Sequence, residues 1–248
     1  MYNSEKFLDN YFKTIFQQKL LPNEIILVND TKNPKNIIDI IDQKKKLYGF
    51  DQIYLINNKV NLGPAISLNK GIKFCEYNLI FRLDVDDLWS PNHTFEMIKA
   101  YKKNPSYLIY ANSIKKNSFL TNLKCDDYLI NENHLIHSSW LINRNICKNF
   151  RYHMLRPSIG LEDYFTLLYY SKKYKYFFIY LQTVNYINNI DSHGKISRKN
   201  NNYLKIRNKI SKKFFFIKIK NKNFFEVLHF IFFKFGFIKF FIFLILYY

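Results

Sequence analysis

The N-terminal part of the chain alternates short apolar runs with longer segments whose apolar residues recur at helical spacing. Each apolar run is too short for a buried helix and too uniformly apolar for a half-exposed strand, which predicts buried strands. Strands that alternate with helices belong to α/β folds, because a helix returns the chain to the same edge of the sheet. We therefore predict an α/β fold with a mostly parallel central sheet flanked by helices.

The same patterns give approximate bounds for the elements. Apolar residues at helical spacing predict helices over residues 4–19, 34–47, 63–75 and 163–172, the first of them stopped by Pro22. Short apolar runs predict strands over residues 24–29, 53–57 and 78–83, and less regular runs suggest two more at 108–111 and 137–142.

Carboxylates follow two of the predicted strands. Asp30 ends the first strand, and the cluster Asp84, Asp86 and Asp87 follows the third. In open α/β sheets, ligands bind beyond the carboxyl ends of the strands. We therefore expect Asp30 and the acidic cluster to lie on the same edge of the sheet, although more than fifty residues separate them in sequence.

The acidic cluster predicts a divalent cation site. Several carboxylates in one tight turn repel one another, and Mg²⁺ or Mn²⁺ would remove that repulsion if phosphate oxygens completed its coordination. An EF-hand is a poor match, because Trp89 and Phe95 stand where the calcium loop has Gly and Glu. A solvated acidic turn is the simpler alternative, since short acidic motifs recur by chance.

Several motifs in a fixed order carry a resemblance to a known family. They are the segments 2–8, 24–30, 61–71 and 82–87, followed by 137–139, 160–164 and 192–197. Together they resemble the family 2 inverting glycosyltransferases with the GT-A fold, of the kind used in bacterial surface polysaccharide synthesis. The resemblance covers roughly residues 2–200. It implies transfer of a sugar from a nucleotide-diphospho-sugar donor to a glycan or lipid-linked acceptor.

The resemblance also implies roles for single residues on the donor side. Asp30 would accept a hydrogen bond from the nucleotide base, although Asn29 precedes it where the family commonly has Asp. Asn61, Arg82 and Asp84 would also bind the nucleotide-sugar. Asp86, with Asp84, would ligate the Mn²⁺ or Mg²⁺ that bridges the diphosphate, and Asp87 would support them.

On the acceptor side, Glu162 and Asp163 match the family's acidic pair, in which the aspartate is the general base. A sugar hydroxyl is a weak nucleophile, so a carboxylate that takes its proton is chemically required. One base without a protein nucleophile implies a single displacement with inversion at the anomeric carbon. The alternative is that both residues only favour a helix N-terminus. His193 and His137 are further candidates for contact with the donor or metal.

One departure from the family concerns the first strand. Members usually begin with an apolar strand that leads into the tyrosine and asparagine found here as Tyr2 and Asn3. Met1 stands where that strand should end. The first central strand is therefore expected to be missing from this sequence: either the true start lies upstream, or the chain lacks the strand. The second case would be compatible with an inactive relative that binds sugar nucleotides without turning them over.

The composition and the net charge of the sequence indicate the cellular compartment and the binding partners of the protein. Cys75, Cys125 and Cys147 form no close pair, so neither a disulfide framework nor a zinc site is indicated. No apolar leader opens the sequence, so we expect the catalytic part to be cytoplasmic. The formal net charge of +19 would attract nucleic acid, anionic lipid headgroups or phosphorylated substrates, and charge alone does not choose among them.

The last part of the chain differs in composition. We expect a glycosyltransferase domain over residues 1–205 and, over 206–248, an apolar basic helical tail rich in Phe, Ile, Leu and Lys. Its charges interrupt any run long enough to span a bilayer, so we expect peripheral association with the anionic cytoplasmic face of the inner membrane. A buried or oligomeric helix is the alternative.

Two other classes fit less well. A nucleic-acid-binding protein could use basic runs such as 44–46, 115–116 and 212–213, but these are scattered and belong to no recognisable motif, so nucleic acid is not an expected partner. A nucleotidyltransferase should carry a Gly-rich phosphate loop, and the whole sequence has only 6 glycines.

Overall fold

The computed structural model describes residues 5–30, 35–112, 135–153, 161–171, 173–179 and 184–186. The helices are α1 (Leu8–Phe16), α2 (Lys35–Tyr48), α3 (Pro64–Phe74), α4 (His93–Lys103) and α5 (Glu162–Tyr170). The strands are β1 (Ile25–Asn29), β2 (Ile53–Asn57), β3 (Leu79–Phe81), β4 (Asp87–Trp89), β5 (Ile109–Asn112), β6 (Leu141–Asn143), β7 (Tyr176–Ile179) and β8 (Val184–Tyr186). Short 3-10 turns cover Glu5–Phe7 and His137–Ser139.

The described strands form three sheets. Strands β1 and β2 pair in parallel, from Ile25 opposite Ile53 to Asn29 opposite Asn57. A four-stranded sheet has the order β3-β6-β5-β7, with β6 antiparallel to both neighbours and β5 parallel to β7. Strands β4 and β8 form an antiparallel pair. Within the described ranges, no strand joins β1 to β3.

The α/β class is confirmed, and the prediction of parallel strands holds for the β1–β2 pair and for β3, β5 and β7, which run in one direction. It fails at β6 and at the β4–β8 pair. Three of the five strand pairings are antiparallel. The reason lies in the predicted strand at 137–142, whose first part is a 3-10 turn closed by hydrogen bonds from Ser139 N–H to the Ile136 carbonyl (3.0 Å) and from Trp140 N–H to the His137 carbonyl (3.2 Å). After this turn, β6 enters the sheet between β3 and β5 and runs against both.

One core lies between α1, α2 and the β1–β2 pair. Along β1 the side chains alternate between buried and half-buried, and Ile25 and Leu27 pack with Leu8 and Phe12 of α1. On α3, a Cβ added to Gly71 would lie 3.2 Å from Cγ2 of Val28, so the absence of a side chain lets the helix approach β1 closely. These contacts fix the C-terminal end of β1, where Asp30 follows.

A second core packs α5 against the four-stranded sheet. Leu167 and Leu168 are fully buried against Leu108 and Ile109, beside the buried indole of Trp140. Burying a leucine stabilises the fold by about 1.5–3 kcal/mol. The N-terminus of α5, with Glu162 and Asp163, is thereby held against the sheet.

Two parts of the predicted organisation lie outside the described residues. These are the tail at 206–248 and the segment 192–197, which contains His193. Within the described ranges, none of the helices combines the length and apolarity needed to cross a bilayer.

Candidate active site

The acidic cluster lies in a tight turn between β3 and β4. The turn is closed by a hydrogen bond from the Asp87 N–H to the Asp84 carbonyl, 3.1 Å long. Leu83 and Val85 pack against the core formed by α1, α2 and β1. These two apolar side chains anchor the turn, because burying them fixes the backbone on either side of Asp84.

Arg82 and Asp84 form a salt bridge within this turn. The Arg82 side chain is 10% exposed and the Asp84 side chain 40% exposed, so the pair lies at the boundary between core and solvent. Burial would raise the pKa of Asp84, but the charge and hydrogen bond of Arg82 outweigh it and hold the pKa at about 2. Asp84 is therefore ionised at neutral pH and already has a cationic partner.

The pKa of Asp87 is shifted in the opposite direction, upward. Burial raises its pKa to about 7, and the negative charges of Asp84 and Asp86 add to the effect. Ser138 donates a hydrogen bond to Asp87, which works against the rise. The negative charges of the turn thus repel one another, as expected from the sequence, and the repulsion is seen as a raised pKa at Asp87.

The carboxylate oxygens of the acidic turn suit a cation that takes only some of its ligands from the protein. Among the described residues, no group of three or more His, Cys, Asp or Glu side chains could hold a metal ion. Mg²⁺ and Mn²⁺ accept carboxylate oxygens together with waters and substrate phosphates, so one or two of these aspartates suffice. The predicted ligands Asp84 and Asp86 fit such a site. Asp84 would bind the ion in addition to its contacts with Arg82 and Ser138, and Asp87 also contacts Ser138.

Glu162 and Asp163 begin α5 and share the electrostatic environment of the acidic turn. Burial raises the pKa of Asp163, opposed by the Tyr164 N–H and by Arg82, and Asp84 raises it further. For Glu162, burial and the charge of Asp163 raise the pKa to about 7. The charges of Arg82 and Asp84 in the turn therefore act on the predicted catalytic pair. A carboxylate whose pKa is raised toward neutrality is a stronger proton acceptor once it is ionised.

His137 lies beside Arg82 and Asp84 but packs between aromatic rings. Its Nε2 shares a hydrogen bond with the Tyr152 hydroxyl (2.8 Å), and its ring centroid is 4.6 Å from that of Trp140. Burial, assisted by the charge of Arg82, lowers the pKa of His137 well below its usual value. His137 is therefore neutral, and its contact with donor or metal stays a prediction.

Asp30 organises the loop that follows β2. It is 5% exposed and accepts hydrogen bonds from Asn58 Nδ2 (2.8 Å) and from the backbone N–H groups of Leu62 and Gly63 (both 2.9 Å). A carboxylate can accept about four hydrogen bonds, so one position remains for the predicted contact with a nucleotide base. The structure does not bring Asp30 into the hydrogen-bonded group around Arg82, so its role in binding stays a prediction.

Asn61 and Gly63 complete this loop. The Asn61 side chain accepts a hydrogen bond from the Gly63 N–H (3.0 Å) and is exposed, as a residue that binds ligand should be. Gly63 has φ of 79°, in the left-handed region that favours glycine, and precedes Pro64 at the start of α3.

The contacts of two residues central to the site could not be read from the sequence, although segment 137–139, which contains Ser138, was among the motifs of the resemblance. Ser138 contacts both Asp84 and Asp87. The Tyr152 hydroxyl contacts His137, and the Tyr152 backbone N–H and carbonyl pair with the side-chain amide of Asn69 on α3. The only signal was the short polar run His137-Ser138-Ser139 in an otherwise apolar stretch.

Comparison with known sequences places these features in context. A family model described as Glycosyl transferase family 2 matches residues 1–158. The chain is 33% identical over 104 residues to the poly-beta-1,6-N-acetyl-D-glucosamine synthase of Staphylococcus epidermidis, covering 42% of this chain and 24% of the synthase. It is 24% identical over 117 residues to the UDP-Gal:alpha-D-GlcNAc-diphosphoundecaprenol beta-1,3-galactosyltransferase of Escherichia coli, covering 47% of this chain and 42% of that enzyme.

The fold is similar to that of a solved transferase. The mannosyltransferase PcManGT from Pyrobaculum calidifontis, in complex with GDP-Man and Mn²⁺, superposes with a TM-score of 0.64 at 14% identity. The superposition covers 93% of this chain and 66% of PcManGT, and it supports the predicted GT-A-like α/β fold. The sequence matches cover 24% of the synthase and 42% of the galactosyltransferase. Because the family model spans more than half of the sequence, the chain belongs to glycosyl transferase family 2.

Proposed function

We propose that this protein transfers a sugar from a nucleotide-diphospho-sugar to a glycan or lipid-linked acceptor during cell-surface polysaccharide synthesis. The observation that carries the proposal is that the charged Arg82–Asp84 pair acts electrostatically on the half-buried carboxyl of Asp163 at the start of α5. Donor chemistry needs polar and charged groups at the diphosphate, and acceptor chemistry needs a base. Both kinds of group meet at this site.

In the proposed reaction, Asp163 is the general base. The acceptor hydroxyl oxygen attacks the anomeric carbon, and the bond between that carbon and the diphosphate oxygen breaks with its electron pair going to the diphosphate. The hydroxyl proton moves to Asp163. Because a single displacement occurs without a protein nucleophile, the anomeric configuration inverts. Positioned proton transfer of this kind typically contributes about 10²- to 10⁴-fold to the rate.

The proposed donor site is formed by Arg82, Asp84, Asp86 and the loop with Asp30 and Asn61. Asp86, with Asp84, would hold Mn²⁺ or Mg²⁺, and the bound ion would neutralise charge on the departing diphosphate. Support comes from the crowded carboxylates of the turn and from the Mn²⁺ bound to PcManGT. The sugar and base are open, since the relatives bind or use different nucleotide-sugars.

We also propose that the protein works at the cytoplasmic face of the inner membrane as a peripheral protein. The formal net charge of +19 favours an anionic lipid surface. The E. coli relative is named for an acceptor linked to diphosphoundecaprenol. The predicted tail at 206–248 would supply the contact.

The test is turnover of a panel of UDP- and GDP-sugars with Mn²⁺, Mg²⁺ or EDTA. The variant Asp86→Ala should lose metal-dependent turnover, whereas Asp39→Ala, which removes an exposed carboxylate on α2, should retain it. Folded protein that binds a nucleotide-sugar without turnover would favour the inactive relative. Folded protein that neither binds nor turns over any donor would refute the proposal.

A further inference from the structure

Ser138 lies at the centre of the acidic turn's hydrogen bonds. It belongs to the 3-10 turn His137–Ser139, which precedes β6, and it is 1% exposed. In sequence it stands 54 residues after Asp84, so only the folded chain brings the two together. Nothing in the family match or in the predicted roles assigns Ser138 a function.

The Ser138 hydroxyl uses its full hydrogen-bonding capacity on the segment 82–87. It accepts from the Asp84 N–H (3.2 Å) and from Nη1 of Arg82 (3.3 Å). Its single proton lies between Oδ2 of Asp84, 3.1 Å away, and Oδ2 of Asp87. One buried hydroxyl therefore ties together the backbone of the turn, its arginine and two of its three carboxylates.

The backbone of Ser138 is held independently of its hydroxyl. The Ser138 carbonyl accepts a hydrogen bond from Nε1 of Trp89 (2.6 Å). The Trp89 backbone is held in turn by Thr14 of α1, whose hydroxyl donates to the Trp89 carbonyl and accepts from its N–H, both at 2.9 Å. Loss of the Ser138 hydroxyl should therefore release the carboxylates without displacing the 3-10 turn.

We propose that Ser138 is a positioning residue whose hydroxyl holds Asp84 and Asp87 so that the turn can bind a divalent cation together with a nucleoside diphosphate. The inference rests on the proposed function, because it assumes that this turn is the metal–diphosphate site. Residues that orient metal ligands typically change metal affinity by about 10- to 100-fold when they are removed. Ser138→Ala should weaken Mn²⁺ binding within that range.

Ser139 offers a matched control. It is fully buried in the same 3-10 turn, but its hydroxyl donates to the Ile136 carbonyl (2.6 Å) and accepts from the Asn112 N–H (2.7 Å), away from the acidic turn. Ser139→Ala therefore removes an equally buried hydroxyl from the same structural element. A general loss of packing would affect both variants, whereas loss of turn positioning would affect only Ser138→Ala.

The experiment is titration of Mn²⁺ followed by electron paramagnetic resonance, which reports free Mn²⁺, with UDP or GDP present. Circular dichroism and thermal melting verify folding of every variant. We expect the Mn²⁺ dissociation constant to rise about 10- to 100-fold in Ser138→Ala and to stay within about twofold of wild type in Ser139→Ala. Ser138→Cys, which keeps the side-chain shape with a slightly larger atom that hydrogen-bonds weakly, should also weaken binding and serves if the alanine variant fails to fold.

The outcomes separate this inference from the proposed function. Wild-type binding with UDP or GDP, together with equally tight binding by a folded Ser138 variant, would overturn the role of Ser138 and leave the proposed site standing. Equal weakening in Ser139→Ala would overturn it as well. Failure of wild-type protein to bind Mn²⁺ with either nucleotide would instead overturn the metal site on which the inference depends.

Discussion

Replacing Glu162 with glutamine should stabilise the protein at alkaline pH. In the folded chain, burial and the neighbouring charge of Asp163 raise the pKa of Glu162 from its ordinary value of 4.5 to about 7. The folded state thus holds the proton more tightly than the unfolded state. Between pH 4.5 and about pH 7, the free energy of unfolding of the wild type should fall as the pH rises. Above about pH 7 this contribution of Glu162 to stability should be fully lost.

The size of the effect follows from the same two values. One pKa unit corresponds to about 1.4 kcal/mol, so full ionisation of Glu162 costs on the order of 3 kcal/mol. Glu162 is only half-buried, and solvent screening reduces that figure, so we expect Glu162→Gln to add about 1–3 kcal/mol at pH 8. Near pH 4 the wild-type carboxyl is mostly protonated in both states, and the difference between variant and wild type should nearly vanish.

The assay is urea unfolding at several pH values between 4 and 8, at constant ionic strength, with tryptophan fluorescence as the signal. Glu76→Gln, at an exposed glutamate after α3, is the matched control and should leave the free energy of unfolding nearly unchanged at every pH. A Glu162→Gln variant no more stable than wild type at pH 8 would refute the electrostatic reasoning. A gain of the same size at pH 4 and pH 8 would also refute it.

Further variants test the rest of the site. Asp163→Asn should lower kcat by about 10²- to 10⁴-fold with little change in the donor KM, measured by steady-state transfer kinetics; an unchanged kcat would exclude Asp163 as the base. Thr14→Val leaves the buried Trp89 backbone groups without their partner and should reduce the free energy of unfolding by about 1–3 kcal/mol in urea titrations. Tyr152→Phe removes the hydrogen bond to His137 but keeps the ring stacked on Trp140, so a loss of about 1 kcal/mol is expected; complete unfolding would contradict this.

The elements that could be predicted from sequence are those with a strong local pattern. Strands β1 and β2 were found because their apolar runs are short and bounded by polar loops, and both lie where expected. Helix α3 was found from helical spacing, with Gly63 and Pro64 at its start. The acidic turn was found because its aspartates are adjacent in sequence and follow a strand.

The parts that could not be predicted depend on contacts between distant residues. The direction of β6 is set by its neighbours β3 and β5, and three residues carry no signal of direction. Ser138 meets Asp84 across 54 residues, and Asn69 meets Tyr152 across 83. A serine or tyrosine that becomes important only through such pairing looks ordinary in the sequence. The role of Asp30 in holding its loop was missed for the same reason.

The central claim is that the chain cleaves the bond between the sugar and the diphosphate and passes the sugar to an acceptor. The most direct measurement is phosphorus-31 NMR of a reaction that contains wild-type protein, Mn²⁺, the donor found in the panel and a lipid-linked or glycan acceptor. We expect nucleoside diphosphate to be released in a one-to-one ratio with transferred sugar, and this release to be lost in Asp163→Asn. Release of nucleoside monophosphate with sugar phosphate, or no release by folded protein with any donor, would contradict it.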